Sequence, residues 1–262
     1  MNAKALIDGD SLLYKAGFSF EEKTNWNELD NELGATDETD ISLSPAYELS
    51  KKSIVEQINI IKEATKCDSI ELWLSGHNNF RFDVLPTYKH NRLKSRKPMS
   101  YDYLWNFLIK EYKANVAEGC EADDVVVYKK TNYPDDYILC AIDKDVLYQT
   151  AGYHYNYGNG KWIEVTPKEA HRFFYYQILV GDTVDGYKGV VGIGKTKANK
   201  LLDNTPPDEY WNMCIETAMK AMNFEKKEAI EYLLPQARVA NMHQITGKNE
   251  GKFNIELWTP NM

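Results

Sequence analysis

Four short segments of this chain set an apolar run against closely spaced acids, and few architectures can use that arrangement. Lys4 to Ile7 is apolar and stops at Asp8-Gly9-Asp10. Gly119-Cys120-Glu121-Ala122-Asp123-Asp124 runs into Val125-Val126-Val127, where a helix would begin. Tyr137 to Ile142 reads as a buried strand that delivers Asp143-Lys144-Asp145. A helix opened by Thr166-Pro167 and carried by Phe173, Phe174, Ile178 and Leu179 ends in Gly181-Asp182-Thr183-Val184-Asp185-Gly186. Buried strands with polar groups at their carboxyl ends predict an α/β fold, because ligands of such sheets gather beyond those ends.

Each acidic segment also has a plain structural explanation. Acids at a helix start are favoured by the dipole, by ~0.3–1 kcal/mol each at exposed positions. Asp143 and Asp145 could close an Asx-type turn after their strand, or share a site by pointing the same way in an extended segment. Asp182 and Asp185 would face one direction if their turn stays helical. Acids at a helix C-terminus oppose the dipole, so there the plain explanation is weakest.

The chain has 262 residues, enough for one large domain or a core with an appendage. There is no apolar run of 18 residues to cross a membrane, and acids appear too early for a signal peptide. A cytoplasmic protein is expected. Cys67, Cys120, Cys140 and Cys214 show no CxxC spacing and suggest reduced structural thiols. The formal charge of −8 hides its patterning, and two bound divalent cations would bring it to −4.

Residues 20–45 are polar and look like a long loop, after which Ser44-Pro45 opens a helix running to about Lys66. Ile70 to Leu74 is the second strand. From Phe80 to Pro98 the chain holds Arg81, Lys89, Arg92, Lys94, Arg96 and Lys97 against a single acid, Asp83. Tyr88 and His90 are interleaved with these bases, a mixture that binds single-stranded nucleic acid through charge and stacking, although a solvated basic loop would look similar. A helix over 101–113 follows, and Tyr153 to Val165 forms a hairpin around Gly158-Asn159-Gly160. In Gly189-Val190-Val191-Gly192-Ile193-Gly194-Lys195 the glycines free the backbone to approach a phosphate, with Lys195, Lys197 and Lys200 adding charge. An unliganded helix-to-helix turn is the alternative. Helices at about 207–222 and 225–240 and a strand from Phe253 to Trp258 complete the chain.

Asp8, Glu121, Asp123, Asp124, Asp143, Asp145, Asp182 and Asp185 are eight carboxylates from four segments. Brought together without cations they would repel one another until some took up protons. All-oxygen ligation suits Mg²⁺ or Mn²⁺ rather than zinc, and a pair of such ions is a known device for cleaving phosphodiesters.

The ordered motifs Asp-Gly-Asp, Phe-Arg…Leu-Pro-x-Tyr-Lys-x-x-Arg, Gly-x-Glu-Ala-Asp-Asp, Ile-Asp-Lys-Asp, Gly-Asp-x-x-Asp-Gly and Gly-x-x-Gly-Ile-Gly resemble the flap endonuclease/5′→3′ exonuclease family over nearly the whole chain. The compact bacteriophage members look most similar. The resemblance implies a mixed, mostly parallel central sheet flanked by helices, a PIN-like core over 1–180. It also implies a helical arch at about 81–113, a helix-hairpin-helix-type subdomain over 181–240, and a C-terminal strand in 241–262 that returns to the core. It further implies a two-metal nuclease of DNA replication, phage-encoded and acting in a bacterial cytoplasm as a monomer. The substrates would be DNA 5′ ends or flaps, with RNA–DNA hybrids a further class. Asp8, Glu121, Asp123, Asp124 and Asp143 would serve one metal, and Asp145, Asp182 and Asp185 the second, with Asp143 near both. Lys89 and Arg92 would contact the scissile phosphate and Arg81 would face substrate. Tyr88 would stack on the terminal base, with Lys94, Arg96 and Lys97 in the basic gateway. Gly192, Gly194, Lys195 and Lys197 would grip duplex backbone, with K⁺ held by carbonyls of the Gly189–Gly194 turn. One departure stands out: the family places a further metal-binding aspartate shortly before Phe-Arg, whereas this chain has Ser75-Gly76-His77-Asn78-Asn79. Water or His77 would have to fill that place.

Two rival readings compete. A haloacid-dehalogenase-type phosphatase would use Asp8 as nucleophile, but leaves the other acids and the basic stretch without work. A non-catalytic, structure-specific DNA-binding protein would accommodate the missing aspartate.

Overall fold

In a computed structural model, residues 3–25, 41–249 and 251–260 are described. The centre is a six-stranded sheet built from β1 (Lys4–Asp8), β4 (Ile70–Asn79), β5 (Asn115–Gly119), β6 (Tyr137–Ala141), β7 (Gly152–Asn156) and β8 (Lys161–Val165). The order is β5-β4-β1-β6-β7-β8, parallel except for the antiparallel β7–β8 hairpin. This is the mixed, mostly parallel sheet that the resemblance implies.

β1 shows why those runs are continuous rather than alternating. Ala5 and Ile7 face one layer, where Leu12 and Leu13 of α1 (Gly9–Ser19), Ile54, Ile58 and Ile61 of α2 (Tyr47–Thr65), and Leu104 and Leu108 of α4 (Tyr101–Tyr112) pack. Leu6 faces the other layer, with Val125, Val126 and Val127 of α5 (Ala122–Asn132) and Val146 and Leu147 of α6 (Lys144–Gln149). A strand covered on both faces must be apolar at every position. The sheet grows leftward from β1 through β4 and β5, then rightward through β6. The carboxyl ends of β1 and β6 therefore flank the point where the order reverses, a natural crevice for a ligand.

A second core joins α7 (Pro167–Val180), α8 (Lys195–Asp203), α9 (Tyr210–Met222) and α10 (Lys226–Ala240) through Ile178, Leu179, Leu202, Cys214 and Leu233. The boundary expected at 181 falls just after α7, whose Ile178 and Leu179 pack in this core. All four cysteines are buried and unpaired. Among the described residues no helix is long and apolar enough to cross a membrane.

Several local expectations need correction. The stretch read as a loop over 20–45 contains β2 (Glu21–Asn25) paired antiparallel with β3 (Ile41–Pro45), while 26–40 lie outside the described residues. α2 starts at Tyr47, because Ser44 and Pro45 are taken up by that ladder. The expected arch is a four-residue helix, α3 (Arg81–Val84), followed by a 3₁₀ turn, His90–Lys94. The helix after it, α4, buries Leu104 and Leu108 in the core rather than standing free. The C-terminal strand β10 (Lys252–Ile255) pairs with β9 (Ile245–Asn249) in a two-stranded sheet of its own. It meets the core through Phe253, which sits edge-on against Trp73.

Candidate metal centre and its basic rim

Asp8 ends β1 and caps α1: its carboxylate accepts from the Asp10 N–H at 3.2 Å and the Ser11 hydroxyl at 3.0 Å. Its own carbonyl accepts from the Tyr157 hydroxyl at 2.9 Å. The side chain is 1% exposed. Burial, reinforced by the charges of Asp10 and Asp143, pushes its carboxyl up to about 7. Asp123, in the first turn of α5, is pushed well up by burial and then by Asp8, Asp143 and Glu121. Acids from β1, α5 and the end of β6 therefore feel one another across the crevice.

Asp143 caps α6, accepting the Asp145 N–H at 2.8 Å. Asp143 and Asp145 thus lie at a helix start and not in an extended segment, which replaces the expected alternation. Asp145 is 5% exposed and its Oδ1 has no hydrogen-bond partner; the nearest ammonium, that of Lys144, is 3.9 Å away. Burial, then the charge of Asp143, raises its carboxyl to about 7. Asp145 also feels Asp182 and Asp185. Those two do not continue a helix. Gly181, at φ 73°, stops α7, and Asp182 Oδ1 accepts from the Val184 and Asp185 N–H groups at 2.8 and 3.3 Å. Burial would raise Asp182, but Lys144 at 3.1 Å and the Val184 N–H bring it below its ordinary value. The carboxylates fall into two overlapping groups: Asp8, Asp123 and Asp143, with Glu121 at the margin; and Asp143, Asp145, Asp182 and Asp185.

The basic stretch closes the other side. Lys89 Nζ meets Glu121 at 2.5 Å and Arg92 meets Asp185 at 2.8 Å. The Lys89 N–H also donates to the Asp185 carbonyl at 2.8 Å, and Asn91 to the Thr183 carbonyl at 2.7 Å. Gly186, at φ 81°, packs so tightly under this segment that a Cβ there would lie 2.4 Å from the Thr87 carbonyl oxygen. Burial alone would raise Glu121, but Lys89 and Arg81 hold it at about 2.

Two expected substrate contacts are internal instead. Arg81 is fully buried, and its guanidinium makes a bidentate pair with Asp124 at 2.6 and 2.6 Å while its Nε donates to the Val239 carbonyl at 2.8 Å. Such a fork satisfies both partners. Arg81 thus presents no face to a substrate, and Asp124 is already matched by a cation. Tyr88 is 2% exposed, packs into the helical core beside Val84 and Leu85, and donates to Glu121 at 2.9 Å, so its ring is not available for base stacking here. Its apolar ring needed a core, and its hydroxyl found an acid.

Farther out, Arg96 pairs with Glu21, and Lys97 lies 3.9 Å over the Tyr101 ring. The Lys94 side chain lies outside the described part of the molecule. Gly194 precedes α8, and a Cβ on Gly192 or Gly194 would meet nothing. Lys195 is exposed beside them. Lys197 Nζ donates to the Gly192 carbonyl at 2.9 Å. His77 is exposed, on the end of β4.

Among the described residues no three His, Cys, Asp or Glu side chains are drawn together tightly enough to grip an ion as the chain stands. Mutual repulsion accounts for that spread. The donor set nonetheless fits hard divalent cations. It is all oxygen, it contains the orphaned Asp145 Oδ1, and burial followed by like charges pushes the Asp8, Asp123 and Asp145 carboxyls up, a strain that bound cations would relieve. An apolar cavity of about 430 Å³ lies between Lys130, Phe174, Tyr175 and Trp258, at the opposite ends of α5 and α7 from these acids. It has no carboxylates and no part in this chemistry.

Sequence reasoning passed over Asp10, Lys144 and Tyr157. The first two lie inside quoted motifs and were legible there; Tyr157, on the β7–β8 turn, carries no local signal.

No protein-family model matches the sequence, and no curated protein matches it. Solved structures do. A bacteriophage T5 flap endonuclease in a pseudo-enzyme–product complex with DNA and metal ions superposes over 91% of this chain and 93% of its own, with a TM-score of 0.53 at 15% identity. The T5 protein co-crystallised with metal ions gives 0.53 at 16% over the same shares. The T5 5′-exonuclease bound to zinc gives 0.51 at 14%, over 88% of this chain and all of that one. Identities this low establish the fold: the chain is a fold relative of the flap endonucleases and 5′-exonucleases.

Proposed function

We propose that this protein is a metal-dependent nuclease that hydrolyses phosphodiesters at DNA 5′ ends or flaps, and in RNA–DNA hybrids, acting as a monomer. The observation that carries the reading is the convergence of Asp8, Asp123, Asp143 and Asp145 in a crevice lacking enough cations, beside a rim that supplies Lys89 and Arg92. The likeness to flap endonucleases points the same way.

Asp8, Asp123 and Asp143, with Glu121, would hold one Mg²⁺ or Mn²⁺, and Asp143, Asp145, Asp182 and Asp185 the other. Ions held there would supply Lewis acidity, lowering the pKa of an attacking water and neutralising charge that builds on the phosphate. The chain supplies the rest. Ser11 and the Asp10 N–H fix the Asp8 carboxylate, and Tyr157 fixes its backbone. Lys89 and Arg92 exchange Glu121 and Asp185 for the phosphate oxygens, stabilising the transition state electrostatically. Lys144 holds Asp182 in place.

Incubation of 5′-labelled duplex and flap DNA with Mg²⁺ or with EDTA tests this. Cleavage that requires the ion supports it. Binding without cleavage, even in Mn²⁺, favours a DNA-binding protein, a reading that the Lys89–Glu121 and Arg92–Asp185 pairs keep in play. Hydrolysis of a small phosphomonoester alone would favour the phosphatase.

A further inference from the structure

Four chain segments deliver acids to the crevice: the end of β1, the start of α5, the start of α6 and the turn after α7. β4 does not. It lies between β1 and β5, yet ends on Ser75-Gly76-His77-Asn78-Asn79 without a carboxylate. Its end is met by one from another element. Asp10, in the first turn of α1, accepts the Ser75 N–H with Oδ1 at 3.1 Å and Oδ2 at 3.3 Å. The Ser75 hydroxyl in turn accepts the Ala122 N–H at 2.9 Å, where α5 begins.

Asp10 is not the residue that caps α1, because Asp8 does that. Nor does it have an ion-pair partner among the described residues; its charge faces those of Asp8 and Glu121, and Lys89, which pairs with Glu121, opposes them. Its carboxylate takes the N–H and the hydroxyl of one serine, Ser75, and neither requires a charged acceptor, since a neutral amide would serve as well. Independently, the nearly buried Asp145 leaves its Oδ1 in the same crevice without a hydrogen-bond partner, and the nearest ammonium, that of Lys144, is 3.9 Å away, as expected where further positive charge is accommodated.

We propose that Asp10 is a ninth carboxylate of the metal centre, serving the ion position of Asp8 and Asp123 and filling the gap left by β4. The inference rests on the metal-dependent reading above. Mn²⁺ titration by calorimetry on the full chain, paired with thermal melts in EDTA, tests it through Asp10→Asn, which keeps the acceptor for Ser75 and removes the charge. The expected result is Mn²⁺ binding weakened at least tenfold at one position, with an EDTA melting temperature unchanged or raised. Equal Mn²⁺ affinity in the two proteins would overturn the proposal, and so would a lowered EDTA melting temperature with unchanged affinity. Ser75→Ala removes the link to α5 and the hydroxyl's contact with Asp10 while keeping the Ser75 N–H and the Asp10 charge; if it weakens Mn²⁺ as much as Asp10→Asn, the charge of Asp10 is not what holds the ion and the proposal falls. Wild-type protein that binds no Mn²⁺ would overturn this inference together with the metal-dependent reading, whereas equal affinities would leave that reading intact.

Discussion

Glu121 and Asp123 stand two residues apart at the start of one helix, yet Lys89 and Arg81 hold Glu121 at about 2 while burial and like charges drive Asp123 far above its ordinary value. The contrast extends to two halves of the crevice. On one side each acid has a cation from the chain: Arg81 for Asp124, Lys89 for Glu121, Arg92 for Asp185. On the other, Asp8, Asp10 and Asp123 have none among the described residues, and Asp145 has only a distant Lys144. Acids matched internally contribute to folding. Acids left unmatched cost stability at neutral pH, and on the proposed reading bound cations would offset that cost.

The sharpest way to break this contrast is to neutralise each side. Asp123→Asn should lower single-turnover cleavage by about 10³-fold or more, retain DNA binding, and melt no lower than wild type in EDTA. A clear loss of melting temperature would place Asp123 on the structural side. Arg81→Ala should do the opposite, stranding Asp124 in a fully buried site at a cost of about 3–5 kcal/mol in urea unfolding. Near-normal stability would mean that the pair does not hold the fold.

The pH dependence of the metal-free protein separates the halves by sign. Asp8 and Asp145 have folded values of about 7 against an ordinary 3.8, so the stability they give is complete below about pH 4 and is lost as pH rises through 7. Glu121 works the other way: its contribution is present above its ordinary 4.5 and is lost as pH falls toward 2. Melting temperatures in EDTA should therefore fall between pH 4.5 and 8, and Mg²⁺ should flatten that fall. A rise over the same interval would reverse the assignment. Lys89→Ala should slow single-turnover cleavage by about 10²-fold with a smaller loss of stability; unchanged rates would remove it from the chemistry. The smallest effect on folding belongs to Arg92→Ala. Its pair with Asp185 is half exposed, and such bridges contribute about 0–1 kcal/mol.

The alternating core of the fold was legible because burial on both faces writes itself into runs such as Ala5-Leu6-Ile7 and Leu139-Cys140-Ala141. β5 was not, since Asn115-Val116-Ala117-Glu118-Gly119 is an edge strand with only Ala117 buried and too little apolar pattern to announce it. The acids could be listed from spacing alone, but their division into matched and unmatched depended on long-range contacts. Arg81 reaches Asp124 from 43 residues away, and nothing beside either residue marks the pairing. Tyr88 shows the same limit: in a basic stretch it reads as a stacking platform, and only the helices behind it reveal that its ring is core.

β1 is hydrogen-bonded on both sides and closed off by helices above and below. Its amides should be among the last in the molecule to exchange with deuterium, and Asp8 hangs from that strand. Asp182 and Asp185 hang from a surface turn closed by the Asp182–Tyr187 bridge. Gentle warming should therefore loosen the turn that carries Asp182 and Asp185 while Asp8 stays in register.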